Sequence, residues 1–116
     1  DPLVIKAPRV DLVWGLVNAM DAALAAAPEL DGPLLLAYGA RDRVVPPEVM
    51  REMVAGLRRE RDIRVAVYEE GYHLLLRDLQ APVVHRDVLA WMLDPSAQLL
   101  SGADAGARGF FARLDD

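Results

Sequence analysis

One aspartate and one histidine, each a few residues past a short apolar run, are the residues of this sequence best placed to do chemistry. Asp42 lies four residues after Tyr38, and His73 lies five residues after Tyr68. A carboxylate beside an imidazole fixes the ring tautomer and stabilises the imidazolium ion, so the other ring nitrogen can take a proton from a nucleophile. The pair therefore predicts general-base chemistry, provided that the fold brings the two loops together.

Each of the two residues also has a structural interpretation. An aspartate after a strand is commonly a turn former or a helix cap, and a single histidine is more often structural than catalytic. Asp42 and His73 become a candidate site only as a pair, one after each strand at the same edge of a sheet.

Hydrophobic periodicity predicts the elements that must position this pair. Apolar residues spaced by three and four from Val10 onward indicate a helix with one apolar face, which Pro28 ends. Continuous or alternating apolar runs bounded by turn residues indicate buried strands, and Pro46 and Pro47 favour a helix start. The predicted order is helix 9–27, strand 34–38, helix 47–60, strand 63–68 and helix 82–92.

A strand, helix and strand of this size predict an α/β fold with two neighbouring parallel strands. Parallel strands need cover on both faces, and two strands alone leave two bare edges. We therefore expect the chain to contribute two parallel strands to a larger sheet. Active sites of open α/β sheets lie beyond the carboxyl ends of the strands. Because neighbouring strands are ~4.8 Å apart, Asp42 and His73 are expected to meet there.

The sequence changes character after Asp94 and Pro95. The residues that follow are small and polar with several Gly–Ala steps, which is typical of a loop. We therefore predict one domain segment over 1–93 and a loop-like tail over 94–116, in which Phe110 and Phe111 dock as a short terminal turn.

The amino-acid composition argues against several classes of partner and cofactor. The formal net charge is −5, which argues against nucleic acid as a partner, and the basic stretch 58–64 is interpreted as a solvated helix end. The absence of cysteine and the presence of only two histidines argue against a metal site or another cofactor and favour a reducing, cytoplasmic location. No uninterrupted apolar run predicts a membrane span, no signal peptide is visible, and the Ala- and Arg-rich composition suggests a bacterial source.

Two local motifs resemble the last third of α/β-hydrolases of the monoacylglycerol lipase and lysophospholipase branch. There a strand ends in Tyr-Gly-x-x-Asp before a Val-Pro, and the histidine follows a Tyr-Glu-x-x-Tyr stretch. The matching positions here are Tyr38, Gly39, Asp42, Val45 and Pro46, then Tyr68, Glu69, Tyr72 and His73. The resemblance covers 1–93. It implies hydrolysis of carboxylic esters or lipids without a cofactor, Asp42 as triad acid, His73 as triad base, and residues 1–8 as the end of a cap segment.

The sequence departs from this family in having no G-x-S-x-G nucleophile motif. Ser96 and Ser101 both follow His73, whereas the order in α/β-hydrolases is nucleophile, acid, histidine. We therefore expect a serine upstream of residue 1, the rest of the catalytic domain as the main partner, and no activity from this chain alone. An aspartate nucleophile, as in epoxide hydrolases, stays open. The alternative is a non-catalytic, truncated or degenerate hydrolase that acts as a binding module.

The remaining polar and aromatic candidates have structural interpretations. His85 is expected on the exposed face of the last helix, Asp78 in a local cap or pair, and the acidic pair at 69 and 70 in a solvated turn. Trp14 and Trp91 are expected in the core, and the last helix is expected to bury Met92.

Overall fold

The computed structural model describes residues 6–57 and 62–115. The chain forms two compact units, Asp1–Leu30 and Asp31–Asp116. The predicted boundary at residue 93 stays a prediction. Most of the segment 1–8 and the end of the predicted helix 47–60 lie outside the described residues.

The first unit consists of helix α1, Val10–Ala26, followed by a 3-10 turn, Ala27–Glu29. Its bounds agree with the predicted helix 9–27, since Pro28 sits in the turn that ends it. No residue of α1 is buried, although Ala27 in the turn that follows is 2% exposed. The predicted apolar face is half exposed at Val13, Val17 and Met20, each 45%. Trp14, which was predicted in the core, is 67% exposed, so that prediction is wrong for this structure.

The stretch Val10–Glu29 is long and apolar enough to cross a membrane when judged by length and composition only. Asp11, Asn18 and Asp21 interrupt its apolar sequence, which is why no continuous apolar run was visible. Core helices of soluble proteins have the same length and composition, so this property alone does not assign α1 to a membrane.

The second unit is built on a two-stranded parallel sheet. Strand β1 is Leu34–Gly39 and strand β2 is Ile63–Tyr68. They pair in register from Leu34 opposite Ile63 to Gly39 opposite Tyr68. The predicted parallel α/β arrangement is confirmed. The two carboxyl ends finish level with each other, which places the Asp42 and His73 loops side by side.

Three helices accompany this sheet, and the first two agree with the sequence. Helix α2 is Pro47–Gly56 and begins at the predicted proline, and helix α3 is Ala81–Leu93. Because side chains alternate along a strand, each face of the sheet has its own core. On one face Tyr38 and Val67 pack with α2 residues, and on the other Ala66 and Tyr68 pack with Val84 of α3.

The tail is the main correction to the predicted elements. Residues 103–112 form helix α4, Ala103–Ala112, and a 3-10 turn follows at Arg113–Asp115. Its glycines disfavour a helix in isolation, which is why the sequence indicated a loop. Ala107 and Phe111, spaced four apart, are buried against the β1–β2 core. Tertiary packing therefore stabilises a helix that local propensity does not predict.

Two further sequence interpretations are wrong. Arg64 was interpreted as part of a solvated basic stretch, but it forms a 2.6 Å ion pair with Asp104 of α4, and both side chains are largely buried. Met92 was predicted to be buried by α3 but is 67% exposed, whereas Asp87, five residues earlier in the same helix, is fully buried.

Candidate active site

Asp42 and His73 meet at the carboxyl edge of the sheet. The Nδ1 atom of His73 lies 3.0 Å from Oδ2 of Asp42. An ionised carboxylate can only accept a hydrogen bond, so Nδ1 carries the proton and Nε2 is left as the basic nitrogen. The Asp42 side chain is 7% exposed and the His73 side chain 44% exposed. The acid is therefore fixed inside the protein while the base faces outward.

Backbone N–H groups hold the other oxygen of Asp42. Its Oδ1 accepts hydrogen bonds from the amides of Val44 at 2.7 Å and Val45 at 3.1 Å. Burial acts to raise the pKa of Asp42, but the hydrogen bond from His73 and those from the two amides together hold that pKa below its ordinary value. The carboxyl group is thus ionised at neutral pH, as a triad acid requires.

Two glycines allow the loops to approach closely. A Cβ at Gly39 would lie 2.5 Å from the carbonyl oxygen of Gly71, and one at Gly71 would lie 3.2 Å from the Cα atom of Gly39. The Arg41 amide donates a 2.9 Å hydrogen bond to the Gly71 carbonyl. A side chain at Gly39 would therefore push the histidine loop away from the aspartate loop.

Charged side chains tie the same two loops together at the surface. The Arg41 guanidinium pairs with Glu70 at 2.5 Å and lies 6.0 Å from the centre of the Tyr72 ring. Glu69 and Glu70 are exposed, as the sequence predicted. Because the Arg41–Glu70 pair is open to water, we assign it little weight in holding the site.

Asp78 holds the loop that carries His73 through a backbone hydrogen bond, a role that the sequence did not reveal. Its Oδ2 accepts a 2.8 Å hydrogen bond from the Tyr72 amide, and its Oδ1 accepts a 2.7 Å hydrogen bond from the amide of Gln80, just before α3. The predicted local pairing is confirmed. The signal available in the sequence was an aspartate three residues before a helix start, which does not reveal the hydrogen bond to Tyr72.

An apolar groove of about 680 Å³ opens beside His73. Strand β1 contributes Leu35 and Ala37, and Trp91 of α3 lines the opposite side. Trp91 is half-buried and packs on the core, which agrees with its predicted role. The groove thus places an apolar surface next to the exposed base.

The other polar candidates lie apart from the pair. His85 is exposed on α3, as predicted, with Nε2 at 3.2 Å from the Leu76 carbonyl. Ser101 donates its hydroxyl to the buried Asp87, and Ser96 bonds to Asp94 at 2.6 Å. Neither serine contacts His73, and neither follows a strand as an elbow nucleophile does.

Among residues 6–57 and 62–115, no group of three or more His, Cys, Asp or Glu side chains is arranged to hold a metal ion.

An acid and a histidine in the loops after neighbouring parallel strands are the arrangement that α/β-hydrolases use. The model of the family described as serine aminopeptidase, S33, matches residues 1–80, a range that includes both Asp42 and His73. The chain belongs to this family, which is part of the α/β-hydrolase superfamily. No curated protein and no solved structure matches the chain.

Proposed function

We propose that Asp42 and His73 are the acid and the base of a Ser–Asp–His triad in a hydrolase of carboxylic esters. The observation that carries the proposal is the 3.0 Å contact between His73 Nδ1 and Asp42 Oδ2, with the histidine exposed and the aspartate buried. This geometry presents Nε2 to an incoming hydroxyl group.

The proposed reaction has two halves. A serine hydroxyl attacks the ester carbonyl while His73 Nε2 takes its proton, and the collapse of the tetrahedral intermediate expels the alcohol, which receives that proton. Water then attacks the acyl-enzyme with His73 again as base, and the acid product leaves as the serine is reprotonated. Asp42 stays ionised throughout and stabilises the imidazolium.

The nucleophile and the oxyanion-hole donors are proposed to lie in sequence that precedes residue 1. The chain order nucleophile, acid, histidine of α/β-hydrolases supports this, as does the absence of G-x-S-x-G within these 116 residues. Acyl transfer needs both missing parts, so residues 1–116 by themselves are expected to be inactive.

The main partner in this proposal is the rest of the same catalytic domain. The described residues pair only two strands, so an outer edge of the parallel sheet is available for further strands. The apolar groove beside Trp91 supports the same proposal, since its walls suit further protein. We propose a cytoplasmic location and no nucleic-acid partner.

The substrate class that we propose is monoacylglycerols, lysophospholipids or related esters, on the strength of the two motifs around Asp42 and His73. The matching family carries the name of an aminopeptidase. A serine triad cleaves esters and amides by the same steps, so the substrate must be tested directly.

A non-catalytic hydrolase-like module is the second candidate. It is favoured by one observation, the lack of a nucleophile motif in this sequence. Within the enzyme proposal, an aspartate nucleophile would instead give an epoxide hydrolase with the same His73 base.

The test is to assay the full-length polypeptide that contains residues 1–116. The substrates are a monoacylglycerol, a short nitrophenyl ester, an aminoacyl anilide and an aromatic epoxide. We expect turnover of the two esters above that of the anilide, abolished by His73→Ala. Turnover of the epoxide alone would identify an aspartate nucleophile. No turnover by a folded protein would favour the binding module.

A further inference from the structure

The orientation of Asp42 depends on a turn that has its own anchor. Oδ1 of Asp42 is fixed by the amides of Val44 and Val45, so the position of this turn decides where Oδ2 points. The carbonyl of Val45, in the same turn, accepts a 2.8 Å hydrogen bond from the hydroxyl of Tyr38. Tyr38 therefore reaches from strand β1 to the turn that carries the acid.

Tyr38 is itself held in place by the helix that the sequence did not predict. It is 3% exposed, and its ring centre lies 6.1 Å from that of Phe110 and 6.3 Å from that of Phe111 in α4. A buried ring that packs against two aromatic neighbours has little rotational freedom. Its hydroxyl is consequently directed at one acceptor.

The ionisation of Tyr38 is compatible with this role. Burial, followed by the negative charges of Asp42 and Glu48, raises the pKa of the hydroxyl above its ordinary value. The group stays protonated over the working pH range and donates to the Val45 carbonyl.

We propose that Tyr38 is a positioning residue for the triad: its hydrogen bond to Val45 fixes the 42–45 turn so that Asp42 Oδ2 faces His73 Nδ1. The proposal rests on the proposed function for its effect on turnover. Its structural part, a Tyr38-dependent Asp42–His73 hydrogen bond, does not require turnover.

The end of strand β2 offers a matched control for removal of the Tyr38 hydroxyl. Tyr68, at the end of β2, is 5% exposed and donates a 3.0 Å hydrogen bond to the buried Asp87. Tyr38→Phe and Tyr68→Phe each remove one buried hydroxyl donor at the end of a strand. Only the first removes a bond to the turn that bears Asp42.

The experiment compares both variants in the full-length polypeptide, by ester turnover and by the downfield NMR resonance of the His73 Nδ1 proton. We expect Tyr38→Phe to lower kcat about tenfold with KM unchanged, because a small displacement of a catalytic group has effects of this order or larger. We also expect it to shift or broaden the resonance. Tyr68→Phe should lower the melting temperature and leave kcat and the resonance as in wild type.

The proposal is overturned if Tyr38→Phe keeps both kcat and the resonance, or if both variants lower kcat equally. Failure of the proposed function gives a different result. In that case His73→Ala also retains turnover, while a change in the Nδ1 resonance of Tyr38→Phe would still support the positioning role.

Discussion

Two buried carboxylates of the second unit have different partners. Asp42 is 7% exposed and contacts the ring of His73, which is 44% exposed. Asp87 is fully buried, and its side-chain partners are the hydroxyl groups of Tyr68 and Ser101. The first carboxylate is coupled to an exposed group that can exchange protons, and the second is coupled to neutral donors. Burial therefore identifies a fixed carboxylate, while the partner of the carboxylate decides whether it can take part in proton transfer.

Replacing His73 by alanine should have the largest effect on the activity. Loss of the base is expected to lower kcat/KM for ester hydrolysis by about 10⁴- to 10⁶-fold, because triad residues act as a unit. The exposed ring contributes little packing, so thermal unfolding should hardly change. Steady-state kinetics and a melting curve on the full-length polypeptide check both expectations. Activity within tenfold of wild type would remove His73 from the mechanism.

Asp42→Asn should have the next largest effect. The amide cannot stabilise the imidazolium and favours the wrong tautomer of His73, so kcat is expected to fall about 10⁴-fold. Circular dichroism should show a folded protein. A loss of stability with no specific loss of kcat would instead make Asp42 a turn former.

Asp42→Asn also tests how the stability of the fold depends on pH. The pKa of Asp42 is lower in the folded protein than its ordinary value of 3.8. Its ionised form therefore stabilises the fold above the unfolded-state pKa, and this contribution is lost as the pH falls through the folded-state pKa. Urea unfolding at pH 6, 4 and 3 should show a steeper loss of stability for wild type than for Asp42→Asn. Parallel curves would contradict the assigned shift.

Asp87→Ala tests the buried carboxylate whose side-chain partners are neutral hydroxyl groups. It leaves the Tyr68 hydroxyl and the Ser101 amide and hydroxyl without their acceptor, so the free energy of unfolding should fall by about 3 kcal/mol. The kcat of the folded protein should stay at the wild-type value, because Asp87 contacts neither Asp42 nor His73. A fall in kcat comparable to that of Asp42→Asn would show that the two carboxylates are not functionally distinct.

Arg64→Met should give the smallest of these effects. The variant removes the ion pair with Asp104 and the bonds to the carbonyls of Pro95 and Ser96, but keeps an apolar stem in β2. We expect a loss of about 1–2 kcal/mol, since the pair is only partly desolvated. Denaturant unfolding measures it, and an unchanged midpoint would mean that the segment before α4 is held by packing alone.

The candidate site was more predictable than the segment that follows it. Periodicity located both strands, and parallel pairing placed Asp42 and His73 at one edge without any knowledge of their contacts. Helix α4 was missed because its glycines lower local helix propensity, while its stability comes from Phe111 packing on the sheet core. The burial of Arg64 was misjudged and that of Asp87 was not predicted for the same reason: their partners are distant in sequence, and no local pattern indicates them.

The most direct test of the central claim is labelling of the full-length polypeptide with a fluorophosphonate probe, in wild type and in His73→Ala. The proposed triad predicts covalent labelling of one serine in wild type and a loss of labelling in the variant, because His73 activates that serine. Equal labelling of both proteins would contradict the role of His73. No labelling of a folded wild-type protein would contradict a serine triad altogether.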